Sequence, residues 1–290
     1  QMAKTVSKQL IRRYTHDYVT LLQKEMVSSI ELLADQINMF AVRMLTNNDI
    51  YALFNDTSLS QREKEARLRK LMDSSLVYRD IIGGLFIVLD TGEIYKYHNE
   101  GVIIEEPKIS QIKQISESKV PVWGGIVSDQ YGDTYILSGR RYKNFYTGQQ
   151  LGALILCIYE EALSDICQEI QEGWSSSFIL NEKGHIISHF EKDRIGKTIT
   201  EDDFVFLEVE SNYQLKSTSN REYIVAVQSL GKRLSSIGID WRVVSNVPEE
   251  YLSRIVGSVN KYIILIQLLS IFAIVLLTIY ISNVITKPII

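Results

Sequence analysis

The chain has 290 residues, 46% hydrophobic and 23% charged, with 31 Lys and Arg against 35 Asp and Glu for a net charge of −4. Aromatics at 10%, only 4 Pro and 16 Gly exclude a collagen-like, proline-rich or wholly disordered chain, and the length suits about two domains. No basic excess exists to replace counterions on phosphate, which excludes nucleic acid as a partner. The 2 cysteines, Cys157 and Cys167, are too few for a disulfide framework and lack zinc-like spacing. They read as small buried residues, with a bridge between a strand end and the next helix as the alternative.

The chain opens at Gln1 without a start methionine or an apolar signal sequence, so a fragment is expected, preceded by a first membrane helix. From Leu22 the apolar positions Leu22, Met26, Ile30, Leu33, Ile37, Phe40 and Met44 recur every three or four residues, the stripe of one long amphipathic helix from near Lys4 to about Leu45. The stretch TSLSQREKEARLRKLMDSS starts a second helix, capped by Ser58 or Ser60, with Leu68, Leu71 and Met72 facing inward.

The period then changes. Gly84 to Tyr97 (GLFIVLDTGEIYKY) is two apolar runs around a turn with Asp90 and Gly92, a β-hairpin. The pattern returns from Ser177 to His189, where Phe86, Ile87, Val88, Gly92 and Ile94 match Phe178, Ile179, Leu180, Gly184 and Ile186 at an offset of 92. Further on, Leu154, Ile155, Ile158, Glu160, Glu161 and Leu163 match Val243, Val244, Val247, Glu249, Glu250 and Leu252 at an offset of 89. Two nearly equal offsets predict two tandem copies of one α+β module with antiparallel sheets, each with an exit helix at its Glu-Glu pair. Later strands are predicted near 122–128, 134–143 and 150–159 in copy one, and near 221–230 and 240–247 in copy two. Gly83-Gly84 and Gly124-Gly125 mark a strand start or a bulge rather than a phosphate loop.

Between Lys261 and Lys287, Tyr262 to Thr286 carries no charge, which predicts a transmembrane helix and hence a lipid bilayer as partner. The predicted divisions are 1–48 for the stalk helix, 49–163 and 164–260 for the modules, 261–283 for the membrane helix, and 284–290 beyond it.

A long helix, two PAS-like modules and a membrane helix resemble the double Cache extracellular sensor, and ILNEKGHIISHFEKDRIGKTI and IDWRVVSNVPEEYL are similar to its second module's hairpin and last strand. VITKPI resembles the start of a HAMP relay helix. SQREKEARLRKLMDSS, VWGG and SGRRYKN look most like Gram-positive sensor histidine kinases that control carbohydrate-uptake operons. The resemblance implies modules outside the cell, a homodimer, no cofactor, and a small-molecule ligand, with a carbohydrate suggested by the subtype. Chemoreceptors and cyclase regulators carry similar sensors and are the alternative, beside a membrane-anchored partner-binding protein with no small ligand.

No catalytic constellation is present in this segment. His185 and His189 lack a third metal ligand and read as surface or groove residues. The resemblance places the ligand in the distal module, between its sheet and the segment joining hairpin to later strands. It implies Trp123 as an aromatic lining residue, followed by Tyr131, Tyr135, Ser138 and Arg140; Trp123 is equally a core candidate. Strand alternation puts Ile136, Ser138, Arg140 and Tyr142 on one side and Tyr135, Leu137, Gly139 and Arg141 on the other, so Arg140 and Arg141 cannot both line one pocket. The family pattern favours Arg140. Amino-acid-binding members carry a carboxylate on the last strand, matched here by Cys157 and, in copy two, Asn246; Gly124 stands where a tyrosine is expected. A buried ammonium without a counter-charge is costly, so free α-amino acids are not the expected ligand. Signal is expected to leave through Trp241, Val247 and Pro248, with Pro248 suited to a helix's first turn.

Overall fold

The computed structural model describes residues 2–73, 78–144, 147–169, 176–199, 213–218, 221–248 and 265–279. Helix α1 (Met2–Leu45) has 44 residues, roughly 66 Å at about 1.5 Å per residue. Its predicted stripe is the buried one: Met26, Ile30, Leu33, Ile37, Phe40 and Met44 are in the core and Leu22 is half-buried. The helix stops because Asn47 turns extended and caps a new helix, its Oδ1 accepting the Asp49 and Ile50 N–H groups at 2.8 and 3.4 Å. That helix, α2 (Asn48–Asn55), buries Ile50, Leu53 and Phe54 and was not predicted.

Helix α3 (Gln61–Asp73) starts at a capping box: Ser60 Oγ accepts from Glu63 N–H at 3.4 Å and Glu63 Oε2 accepts from Ser60 N–H at 2.9 Å. Leu68 and Met72 are buried and Leu71 half-buried, as its pattern predicts. Lys64 is buried too, its ammonium donating to Phe54 O at 3.2 Å and lying over the Tyr95 ring at 5.7 Å.

Two five-stranded antiparallel sheets follow. In chain order the first holds β1 (Ile82–Leu89), β2 (Ile94–His98), β3 (Val122–Ser128), β4 (Thr134–Lys143) and β5 (Gln150–Tyr159), with α4 (Ile109–Glu117) between β2 and β3. After α5 (Glu161–Glu169), the second holds β6 (Ser176–Leu180), β7 (Ile186–Ser188), β8 (Tyr213–Thr218), β9 (Arg221–Ser229) and β10 (Arg242–Pro248), with the short α6 (Lys232–Ser235) before β10. Spatial order is β2-β1-β5-β4-β3 in one and β7-β6-β10-β9-β8 in the other, the same path drawn twice. The register repeats as well: Leu85–Leu156, Phe86–Ile155 and Ile87–Leu154 pair in the first sheet, Ser177–Ser245, Phe178–Val244 and Ile179–Val243 in the second. Both sequence offsets, 92 and 89, are thus satisfied by one pairing. This is an α+β fold with a long N-terminal helix and a duplicated antiparallel sheet.

The glycine pairs act as predicted, with register shifts between Ile82 and Gly84 and between Trp123 and Gly125. The edge strand β8 was not predicted. Cys157 and Cys167 are buried and free, which settles them as core residues. Among the described residues no helix is long and apolar enough to cross a membrane. The uncharged run from Tyr262 to Thr286 lies partly outside the described residues; its described part, 265–279, is helical and exposed throughout. The predicted exit helix at Glu249 also lies outside them, whereas its counterpart in copy one is α5, beginning at Glu161.

Candidate functional site

Strand alternation gives the first sheet two different faces. Leu85, Ile87, Ile136, Leu154, Leu156 and Ile158 point to α1 and share its core. Phe86, Tyr135, Leu137, Ala153, Ile155 and Cys157 point the other way, and Ile115 of α4 covers them. The layer under α4 is the one where the resemblance places a ligand.

The five predicted residues do not converge there. Tyr135 is the one that faces this layer, fully buried, its hydroxyl donating to Asp129 Oδ2 at 3.0 Å and its ring 5.0 Å from that of Tyr159. Burial, then the Asp129 bond, raises its phenol pKa far above the ordinary value. Tyr131 is 72% exposed at the β3–β4 turn, where Asp129 Oδ1 accepts its N–H at 2.9 Å. Ser138 and Arg140 lie on the α1 face with Tyr142, and Arg140 Nη2 donates to Asn38 Oδ1. Ser138 Oγ, Arg140 Nε and Tyr142 Oη are all buried without a partner, and burial lowers the Arg140 pKa. Across β4, Arg141 donates to the carbonyls of Glu117 and Ser118, completing the C-terminal end of α4.

The layer under α4 is closely packed around Gly139. A Cβ there would stand 2.2 Å from Ile115 Cδ1, so the helix rests directly on the sheet. Cys157 is wholly buried in this layer, and burial raises its thiol pKa. Asp129, the buried carboxylate nearby, is already occupied by Tyr135 and by the N–H groups of Tyr131 and Asp133. His98, stacked edge-on against Phe86, is buried with Nε2 unpartnered.

Open space lies beside this layer, at the junction of the modules. A cleft of about 440 Å³ runs between α4 and the bulged start of β3 on one side, and the β6–β7 turn and residues 238–241 on the other. Trp123 stands at this junction: its indole N–H donates to Ile237 O at 3.0 Å, and its ring meets that of Trp241 edge-to-face at 6.1 Å. It also packs on the α1 core, as its core reading has it, and it lines this junction cleft rather than the layer under α4. The approach is tight enough to require glycine. Gly238 has φ of +83°, and a Cβ there would be 2.1 Å from Pro121 O.

A second tie joins the modules. Glu160, 1% exposed at the end of β5, accepts the His189 N–H at 3.2 Å and pairs with Lys192 Nζ, which also donates to Ser164 Oγ at 3.2 Å. His189 is buried between Phe178 and Phe190, which corrects its reading as a surface or groove residue; the aromatic neighbours exclude water from it. His185 is half-buried and lines the cleft. Among the described residues no group of three or more His, Cys, Asp or Glu is placed to hold a metal ion. Gln111, Gln114, Lys183 and Asp240 of the cleft had no sequence signal, because each is an ordinary surface residue until the modules meet.

No protein-family model and no curated protein sequence matches the chain. Solved structures do. The ligand-binding domain of the Pseudomonas fluorescens chemoreceptor CtaA, in complex with L-isoleucine, superposes with a TM-score of 0.64 at 14% identity, over 86% of this chain and 98% of that one. The domain of Pseudomonas aeruginosa PctC with GABA gives 0.59 at 15%, over 80% and 100%. The sensory domain of Campylobacter jejuni Tlp3 with isoleucine gives 0.59 at 13%, over 86% and 98%. At such identities the likeness establishes a shared fold: that of chemoreceptor ligand-binding domains.

Proposed function

We propose that this chain is the ligand-sensing region of a membrane receptor, with both modules outside the cell and a small molecule as its ligand. The observation that carries the reading is the doubled, register-matched sheet, in a fold shared with chemoreceptor ligand-binding domains over nearly their whole length. The uncharged run from Tyr262 to Thr286 supplies the membrane anchor, and the strand β10 that leads toward it is central in the second sheet. A ligand that favours one arrangement of the modules then shifts what the membrane segment transmits.

For the output, a chemoreceptor is better supported than a histidine kinase. The solved structures described above are chemoreceptor domains, whereas the kinase reading rests on the short strings SQREKEARLRKLMDSS, VWGG and SGRRYKN. The receptor acts as a homodimer through α1, whose exposed Tyr18, Leu21, Leu32, Met39 and Val42, spaced by 3, 11, 7 and 3 residues, fall at heptad-compatible positions away from the buried stripe.

The test is a thermal-shift screen of the full chain in lipid nanodiscs against amino acids, organic acids and saccharides. A ligand at 100 times its Kd raises stability by about 2.7 kcal/mol, readily seen as a higher Tm. No shift across the library contradicts a small-molecule sensor.

A further inference from the structure

Strand β4 turns Ser138, Arg140 and Tyr142 toward α1, on the face opposite the one where the resemblance places a ligand. The rest of this face is apolar, made of Leu85, Ile87, Ile136, Leu154 and Leu156. Ser138 is 2% and Tyr142 3% exposed, and Ser138 Oγ, Tyr142 Oη and Arg140 Nε are all buried without a partner. Successive side chains on one strand face stand about 7 Å apart, so the guanidinium has a hydroxyl-bearing neighbour on each side. Buried polar atoms are ordinarily bonded, and three bare ones in a row on one strand call for a group from outside the chain.

The charge of Arg140 decides what that group is. Its guanidinium reaches α1 through Nη2, which donates to Asn38 Oδ1, a neutral amide. No carboxylate offsets it: burial is the sole cause of its lowered pKa, and the acids of α1 one and two turns before Asn38, Asp35 and Glu31, are turned to Arg233. Tyr142 is no counter-ion either, since burial pushes its phenol up to about 12 and keeps it protonated. A water molecule would bond the hydroxyls and leave the cation uncompensated, whereas an anion does both, because all three groups donate. On the helix side, Ala34 and Ala41 flank Asn38 four and three residues away, both buried, so α1 brings no bulk beyond Cβ to the strip. Three donors in apolar surroundings suit a monovalent ion of one atom rather than phosphate or sulfate, whose oxygens need many more.

We infer that a chloride ion binds in the seam between α1 and β4, at Arg140 Nε between the Ser138 and Tyr142 hydroxyls. Arg140 as a whole is half-buried, which leaves the ion a path from solvent. Its occupancy sets how firmly α1 is held to the first module, because the ion neutralises the one cation in their shared apolar layer. The inference goes beyond the sensor reading and does not depend on which small molecule the receptor detects.

The experiment is thermal unfolding of the full chain in nanodiscs, followed by tryptophan fluorescence, in sodium chloride against sodium gluconate at equal ionic strength. Chloride raises the Tm saturably, by about 4–8 °C for a site held at roughly thirty times its Kd. Arg140→Met abolishes that shift, and at least one of Ser138→Ala and Tyr142→Phe raises the half-saturating chloride concentration about five- to tenfold. Arg141→Met, on the other face of β4, keeps the shift. Should Arg140→Met fail to fold, the two hydroxyl variants decide. Equal Tm in both salts overturns the inference, as does a rise that grows with concentration and never reaches a plateau. A chloride shift that Arg140→Met retains, or half-saturation unchanged in both hydroxyl variants, overturns it as well, and a shift lost in Arg141→Met places the ion elsewhere. None of these outcomes touches the sensor reading, which the ligand screen tests separately.

Discussion

Replacing Gly139 with alanine places a methyl group 2.2 Å from Ile115 Cδ1, 2.5 Å from its Cγ1 and 3.0 Å from its Cγ2. Three atoms of one branched side chain are involved, so no rotation of its tip relieves the clash, and α4 must lift from the sheet. Overpacking of this kind costs about 1–3 kcal/mol. Ile115 is only 3% exposed, and Ile115→Ala alone costs about 2–5 kcal/mol in lost burial and cavity. In the double variant the new methyl occupies volume the isoleucine has left, so the effects subtract, with a coupling of about 1–3 kcal/mol. At about 2–4 °C per kcal/mol for a domain of this size, that coupling is several degrees of Tm. Thermal unfolding of the four proteins, followed by circular dichroism, measures it. Additive losses would refute the direct seating of α4 on β4, and with it the argument that the layer beneath is filled.

Gln23, buried on α1, donates to Ala226 O at 2.9 Å and to Ser245 Oγ at 3.3 Å, and the latter is 2.7 Å from Ser177 Oγ. Gln23→Leu strands these acceptors, costs about 1–3 kcal/mol, and speeds hydrogen exchange in β9 and β10 while β1 and β5 keep their protection. Burial, with Lys96 and Arg69 adding like charge, holds the His98 imidazole below its ordinary value of 6.5. The unfolded chain therefore takes up the extra proton, and the stability is complete above about pH 6.5 and lost as pH falls toward the folded value. His98→Phe should flatten the Tm profile across that window, and buried His189, shifted the same way by burial first and Arg194 next, supplies the remaining slope. Leu32→Glu with Met39→Glu, both on the exposed face of α1, should convert a sedimenting dimer to a monomer at unchanged circular dichroism; a dimer that persists places the interface elsewhere.

The sheets were legible because duplication writes the same hydrophobic pattern twice, and register follows once Phe86 and Phe178 are equated. The ends of α1 and α3 follow from Asn47 and the Ser60–Glu63 box. By contrast α2 is separated from α1 by two residues and continues its apolar content, so periodicity runs through the break. Strand β8 is an edge strand of 6 residues, too short to impose a pattern of its own. In the site, alternation correctly separates Arg140 from Arg141, but which face meets α1 and which meets α4 is decided by packing between distant elements. Trp123 escapes alternation altogether, since the bulge before Gly125 resets the phase. The cleft residues come from four separate stretches, 111–125, Leu137, 181–185 and 238–241, and no local pattern marks them.

A hybrid receptor tests the sensory role most directly: this chain joined to the cytoplasmic half of a chemoreceptor, in cells lacking their own receptors. The account predicts that a compound raising the Tm of the isolated chain changes swimming bias over the same concentration range. A hybrid that is folded and membrane-inserted, binds that compound, and leaves swimming bias unaltered at saturation would contradict it.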